Sequence, residues 1–346
     1  MESDPKRRRR TIRRRLAALA LGLGVPLLVL EIGVRVVHGA PLPQKLPLQL
    51  VEADELSGWR FPPGRDFYTF DRLASINSLG LRGPEVGPKE EGELRIVALG
   101  DSLTFGVGVS DEETLPEQLR RELAARLGRP CTVVNTGHPA WATNQELACL
   151  LGLGPELHHD AVVLFWFFND INEPSLAATT AELRESGPQT FETRNAFTGW
   201  PAVRWRIHEF LRRSAIYAYM DWQKDFRSHK DYSQDLVDRG MELLDDFYCD
   251  ALHKLCERDG ARPFVVVIPY SVSLGRDNAC REIERRAAEI FRAHDFPVLE
   301  TRDALERAAR DLGRIPHVAY DYHYDAVGNR VQAEAVAAWL AEQLVE

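Results

Sequence analysis

Eight consecutive apolar residues, Ala161-Val-Val-Leu-Phe-Trp-Phe-Phe168, constrain this chain more than any other stretch. A run that short and without alternation reads as a strand covered on both faces. Such a strand needs a helical layer on either side, and the neighbouring sequence supplies one. Residues 95–99 form a short apolar strand ending at Gly100. Leucines at 115, 119, 123 and 127 mark an amphipathic helix stopped by Gly128. Residues 132–135 read as a second strand, 145–153 as a helix, 236–258 as a long helix and 264–268 as a fourth strand. A helix over 283–294, a fifth strand at 297–300 and a closing helix at 326–344 complete the series. The expected fold is therefore α/β, a three-layer doubly wound and mainly parallel five-stranded sheet with right-handed crossovers.

The amino end is organised differently. Residues 1–15 hold eight cations against two anions, a charge of +6 within a chain of net charge -9, which leaves the remainder at -15. A body that acidic is a poor partner for nucleic acid. The basic tail instead abuts residues 16–30, an uncharged run rich in Leu, Ala and Val that continues past Glu31 to Val37. Residues 16–37 are expected to form an uncleaved transmembrane helix, with the arginines cytoplasmic and the remaining chain exported. The rival is a cleaved signal peptide, but Pro41 directly after Ala40 makes a poor cleavage site. Residues 38–93 follow as a proline-rich tether and an aromatic extension of irregular structure or short strands. Residues 94–346 form the main domain. Within it, 171–232 is too long for an ordinary connection and carries Trp200, Trp205, Phe210, Tyr217, Tyr219 and Trp222. It reads equally as a cap over a site or as extra helices at the sheet edge.

Chemistry belongs at the carboxyl ends of parallel strands. After the first strand, Gly100-Asp101-Ser102-Leu103-Thr104 turns sharply and exposes a serine beside main-chain N–H groups suited to an oxyanion. Thr104 stands where the elbow of α/β-hydrolases has its second glycine, and no phosphate-binding loop follows. Gly137, after the second strand, can offer an unhindered N–H. Asn169, at the end of the apolar run, can offer a side-chain amide, with Asp170 beside it. A nucleophilic serine needs a base, and Asp321-Tyr322-His323 supplies an imidazole with a carboxylate to orient it. His138, His158, His159 and His317 compete for that role, and of these His138 is placed to line the site. No metal-ligand spacing is present and no cofactor is expected. Five cysteines without a C-x-x-C pair read as buried apolar thiols.

These blocks together resemble the SGNH, or GDSL-type, hydrolase superfamily over residues 75–346, and the stretch from Asn77 through Arg82 to Gly83 is similar to one found ahead of the nucleophile in bacterial membrane-anchored members. The resemblance implies a flavodoxin-like sheet. It implies Ser102 as nucleophile, His323 as base and Asp321 as its orienter. The oxyanion donors would be the Ser102 and Gly137 N–H groups and the Asn169 amide, and Asp101 and Asp170 would support the loops. Phe167 replaces the usual glycine of the third block, and Asp-x-His replaces the commoner Asp-x-x-His. The shorter spacing is similar to that of proteins handling carbohydrate O-acetyl groups. The expected function is a serine esterase acting on O-acyl esters. An O-acyltransferase acting on an envelope polysaccharide and a non-catalytic carbohydrate-binding protein remain alternatives.

Overall fold

The computed structural model describes residues 5–172, 175–190, 199–228, 232–276 and 279–345. In chain order the elements are α1 (Pro5–His38), β1 (Leu50–Asp54), β2 (Gly58–Arg60), β3 (Phe67–Thr69), β4 (Arg72–Ala74), β5 (Leu94–Gly100), α2 (Ser102–Phe105) and α3 (Leu115–Leu127). Next come β6 (Cys131–Asn135), α4 (Thr143–Leu157), β7 (Ala161–Trp166), α5 (Leu176–Ser186), β8 (Gln189–Thr190), α6 (Gly199–Leu211), α7 (Ala215–Ser228) and α8 (Gln234–Leu243). The series closes with α9 (Cys249–Asp259), β9 (Arg262–Val267), α10 (Ala279–Ala293), β10 (Val298–Glu300), α11 (Arg302–Leu312) and α12 (Ala326–Val345).

The central sheet has five strands, all parallel, in the order β10-β9-β7-β5-β6. Counted along the chain this is a 2-1-3-4-5 arrangement, in which the strand order reverses between β5 and β7. Every residue of β5 and β7 is buried, as the apolar run requires. Helix α3 shows how the flanking layer is specified. Thr114 caps it by accepting from the Glu117 N–H, Leu115, Leu119 and Leu123 are buried on one face, and Gly128 ends it in the left-handed conformation.

Three elements depart from the sequence expectation. Strand β7 stops at Trp166 because the Phe167 N–H turns to Asp170 Oδ2 (2.9 Å), and Phe168–Ile171 curls into a 3-10 turn. Phe167 and Phe168 stay buried, but in the loop, against Tyr270, Tyr322 and Tyr232. The long helix expected over 236–258 is split into α8 and α9 by a π-helical segment, Leu244–Tyr248, which keeps both Leu244 and Tyr248 buried. Helix α11 has no counterpart in the sequence reading. Its buried face is carried by Leu305 and by the Arg302 guanidinium, which donates to Glu284 Oε2 (2.5 Å) and Ser273 Oγ (2.9 Å), so apolar periodicity does not reveal it.

The extension after α1 packs on the main domain. Strand β1 pairs antiparallel with β2 on one side and with β8 on the other, and β3 pairs with β4. Val51, Trp59, Phe61, Phe67, Ala74 and Ile76 form a second apolar cluster that includes Phe105 of α2 and Trp141. The 171–232 segment, in its described parts, divides its attention. Thr180 of α5 donates to the Asp54 carbonyl of β1, whereas Ala215 and Ala218 of α7 cluster with Tyr320.

Candidate active site

Gly100 ends β5 where an added Cβ would run into the Thr104 side chain, so the chain can turn this tightly only with glycine there. Asp101 then caps α2. Its buried carboxylate accepts the Leu103 N–H (2.8 Å), the Asn169 side-chain amide (3.0 Å) and, more distantly, the Ser102 hydroxyl (3.3 Å). Ser102 is thereby the first residue of α2, at the carboxyl end of β5, beside the point where the strand order reverses.

The closing loop meets it from the other side. Val318 N–H donates to the His323 carbonyl and Asp321 N–H to the Val318 carbonyl, a tight reversal with Tyr320 in the left-handed region at φ 60°. Asp321 Oδ1 accepts both the His323 main-chain N–H (2.8 Å) and ring Nδ1 (2.5 Å). The two-residue spacing thus suffices because one carboxylate oxygen closes the turn and holds the ring together. The opposite ring nitrogen, Nε2, lies 2.7 Å from Ser102 Oγ. Burial works to raise the Asp321 carboxyl, but the His323 ring and its two N–H groups outweigh it and hold the group below the usual carboxylate value. Ser102, His323 and Asp321 are therefore joined in one hydrogen-bonded chain although 221 residues separate Ser102 from His323.

Of the loop residues expected to stabilise an oxyanion, Gly137 is engaged and Asn169 is engaged in part. The Gly137 N–H donates to Asn135 Oδ1 (3.0 Å), and a Cβ on Gly137 would collide with the main chain of Thr104 and Phe105. Its glycine character serves close packing of the β6 loop on α2. Asn169 spends one amide hydrogen on Asp101 and keeps a second. Asp170 orders its own loop through the Phe167 N–H. Phe167, in place of a glycine, stacks at 6.5 Å against Tyr322, whose ring in turn stacks on His323 at 4.3 Å.

His138 does not line the site. Its ring is stacked between Phe61 (4.2 Å) and Trp141 (3.8 Å), Nδ1 faces the Thr136 carbonyl, and burial lowers its pKa to about 4. His159 sits against Asp259 at 3.8 Å, and His317 stacks on Trp222.

Two features were assigned no structural role in the sequence. Arg82 is 2% exposed and reaches from the extension to grip the far end of α2. Nε pairs with Asp111 (2.8 Å), Nη1 donates to the carbonyls of Phe105 (3.0 Å) and Gly106 (2.5 Å), and Nη2 to that of Val109 (2.7 Å). Its place in the Asn77–Gly83 stretch was the available signal. The other is Glu146, a buried carboxyl close enough for its charge to be felt by Asp170 and to feel that of Asp101. Burial pushes Asp101, Glu146 and Asp170 up; the charge of Asp101 raises Glu146 further, and Glu146 and Asp101 together raise Asp170.

Fold and site thus define a three-layer α/β protein carrying a hydrogen-bonded serine–histidine–aspartate chain at the reversal of strand order. No family model and no curated protein matches the sequence. Solved structures similar to it include a lipase/acylhydrolase from Enterococcus faecalis, at 19% identity and TM-score 0.43, covering 72% of this chain and 96% of that one. A member of the lipolytic protein G-D-S-L family from Veillonella parvula DSM 2008 matches at 14% identity and TM-score 0.38, over 71% of this chain and 98% of that one. A two-domain esterase active on acetylated mannans matches at 12% identity and TM-score 0.45, over 73% of this chain and 50% of that one.

Proposed function

We propose that the protein is a membrane-tethered serine esterase of the SGNH, or GDSL, type. The observation that carries this reading is the hydrogen-bonded line from Asp321 through both nitrogens of His323 to Ser102 Oγ. Ser102 Oγ attacks the ester carbonyl while its proton passes to His323 Nε2, and Asp321 steadies the imidazolium. The C–O bond to the alcohol breaks as that oxygen takes the proton from Nε2, leaving an acyl-enzyme. Water, deprotonated by the same nitrogen, attacks the acyl carbon, and the acid departs as the proton returns to Ser102. The donors proposed for the oxyanion are the Ser102 N–H and the second Asn169 amide hydrogen. Gly137 joins them only if its N–H leaves Asn135.

Ser102 is 4% exposed and His323 7%, a burial that favours acyl transfer to a bound sugar hydroxyl as the second reading. Incubating the full chain with an acetylated chromogenic ester, with and without an oligosaccharide acceptor, separates the two. Free acid formed at the same rate in both supports the esterase, whereas acylated acceptor outpacing free acid selects transfer. A fluorophosphonate that labels the wild type and not Ser102→Ala identifies the nucleophile. Failure to label any serine returns the protein to carbohydrate binding.

For the anchor, residues 16–37 are proposed to cross the membrane, with residues 1–15 cytoplasmic and the domain exported. The helix Ile12–His38 is long and apolar enough to span, and the side chains from Leu16 to Leu30 are exposed, with none of the described residues covering them.

A further inference from the structure

Helix α6 is built inside out. Trp200, Val203, Ile207 and Phe210 recur at the spacing of one helical face and are 73%, 44%, 51% and 67% exposed. Polar contacts tie the helix to α7: His208 Nε2 faces Asp221 of α7 at 3.0 Å, and Arg212 lies 3.8 Å from the same carboxylate. Water disfavours such a face, so its ordinary surroundings are not water. Exposed Arg204, Arg206 and Arg213 accompany the stripe in a protein whose body is strongly acidic.

The position of α6 identifies what covers it. Glu31 of α1 accepts from the N–H groups of Ala215 (2.8 Å) and Ile216 (3.2 Å) and from the Ser214 hydroxyl (2.8 Å), capping α7. Arg35 donates to the Arg213 carbonyl at 2.7 Å. The C-terminal end of α6 therefore stands level with Glu31–Arg35, where the uncharged run of α1 stops although exposed apolar side chains continue at Ile32, Val36 and Val37. The uncharged run, the fifteen residues 16–30, is about 22 Å long as a helix, short of a hydrocarbon core of about 30 Å, whereas residues 16–37 together reach about 33 Å. With residues 16–37 as the proposed span, the bilayer surface on the domain's side meets the protein between Glu31 and Val37, beside the C-terminal end of α6.

We propose that α6 lies in the membrane–water interface on the domain's side. Its Trp200–Phe210 stripe is immersed at the boundary between headgroups and acyl chains, and its arginines rest on anionic headgroups. This inference rests on the proposed membrane anchor. It also sets the height of the catalytic loop, because the Tyr320 hydroxyl, one residue before Asp321, donates to the carbonyl of Gly39 at 2.8 Å. The triad is then presented to esters at the membrane surface.

The test uses the full chain in nanodiscs of phosphatidylethanolamine and phosphatidylglycerol, with and without bromine on the acyl chains, after carbonate extraction of the membranes that express it. The expected result is retention in the carbonate pellet and bromine quenching of tryptophan emission that Trp200→Phe largely abolishes. Val203→Asp/Ile207→Asp/Phe210→Asp, all on the exposed face, should shift Trp200 emission to the red while leaving retention intact. Retention with no quenching attributable to Trp200 overturns the interfacial helix and spares the anchor; a dimer bridged through the stripe does the same, with a second copy as occupant. Release by carbonate removes the anchor and the inference together.

Discussion

Ser102 Oγ stands 2.7 Å from one nitrogen of an imidazole whose other nitrogen is held at 2.5 Å by a carboxylate, so removing either end of that line should be costly. Ester turnover by Asp321→Asn is expected to fall by about 10⁴-fold in kcat, since the amide favours the wrong ring tautomer. Circular dichroism of the variant should be unchanged; a loss below tenfold would reassign the orienting group. Asn169→Ala is expected to lower kcat by roughly 10²- to 10³-fold with little change in KM, because in the proposed role its second amide hydrogen meets charge that develops only in the transition state. An equal effect on KM alone would make Asn169 a ground-state contact. Gly137→Ala, by contrast, is expected to fail in folding, since the new methyl meets the main chain of Phe105. Soluble variant with a normal melting temperature would contradict that.

At the scale of elements, α2 has four residues and cannot hold its own shape. Three neighbours hold it: the glycine of the β6 loop packed on its main chain, the Phe105–Phe61–Phe67 ring cluster, and Arg82. Arg82→Ala leaves three carbonyls and Asp111 without their buried donor, and should cost on the order of 3–5 kcal/mol, read from denaturant midpoints. Arg82→Lys should recover little, because one ammonium cannot span those directions. If Lys restores stability fully, the clamp is a charge and not a fork. The stretch around Arg82 was visible as a string of residues, but nothing in it told that a guanidinium would turn inward. The same holds for Arg302 under α11. Apolar periodicity finds elements whose buried face is hydrocarbon, and it misses those whose buried face is a satisfied charge.

For the molecule as a whole, buried titratable groups set opposite limits on stability with pH. His138 has a folded pKa of about 4 against an unfolded value near 6.5, so its folded form binds fewer protons. Its contribution is present above pH 6.5 and is lost as pH falls toward 4, an amount of about 3 kcal/mol. The carboxyls of Glu146 and Asp170 are raised by burial and their neighbours' charge, so their contribution is present at low pH and is lost as pH rises. Melting temperatures of the wild type, His138→Asn and Glu146→Gln measured from pH 4 to 9 check both signs. The His138 variant should lose less stability toward acid, and the Glu146 variant less toward alkali. Curves parallel to the wild type would show that neither group titrates with unfolding.

The mainly parallel five-stranded sheet, its strand starts to within two residues, and the placing of Ser102, Gly137, Asn169 and the Asp321/His323 pair at strand ends or in the closing loop were legible in the sequence. Apolar runs, glycine stops and the order of blocks are local, and a doubly wound sheet brings the ends of its strands together whatever the details. Only tertiary structure decided which polar groups are already taken. It engages Gly137 with Asn135, buries His138 in a ring stack, ends β7 two residues early, and joins Glu31 to the first turn of α7. The physical reason is that hydrogen-bond partners and buried charges are chosen across long sequence separations. A side chain's residue type states what it can donate or accept, and only the folded neighbours determine what remains free for chemistry.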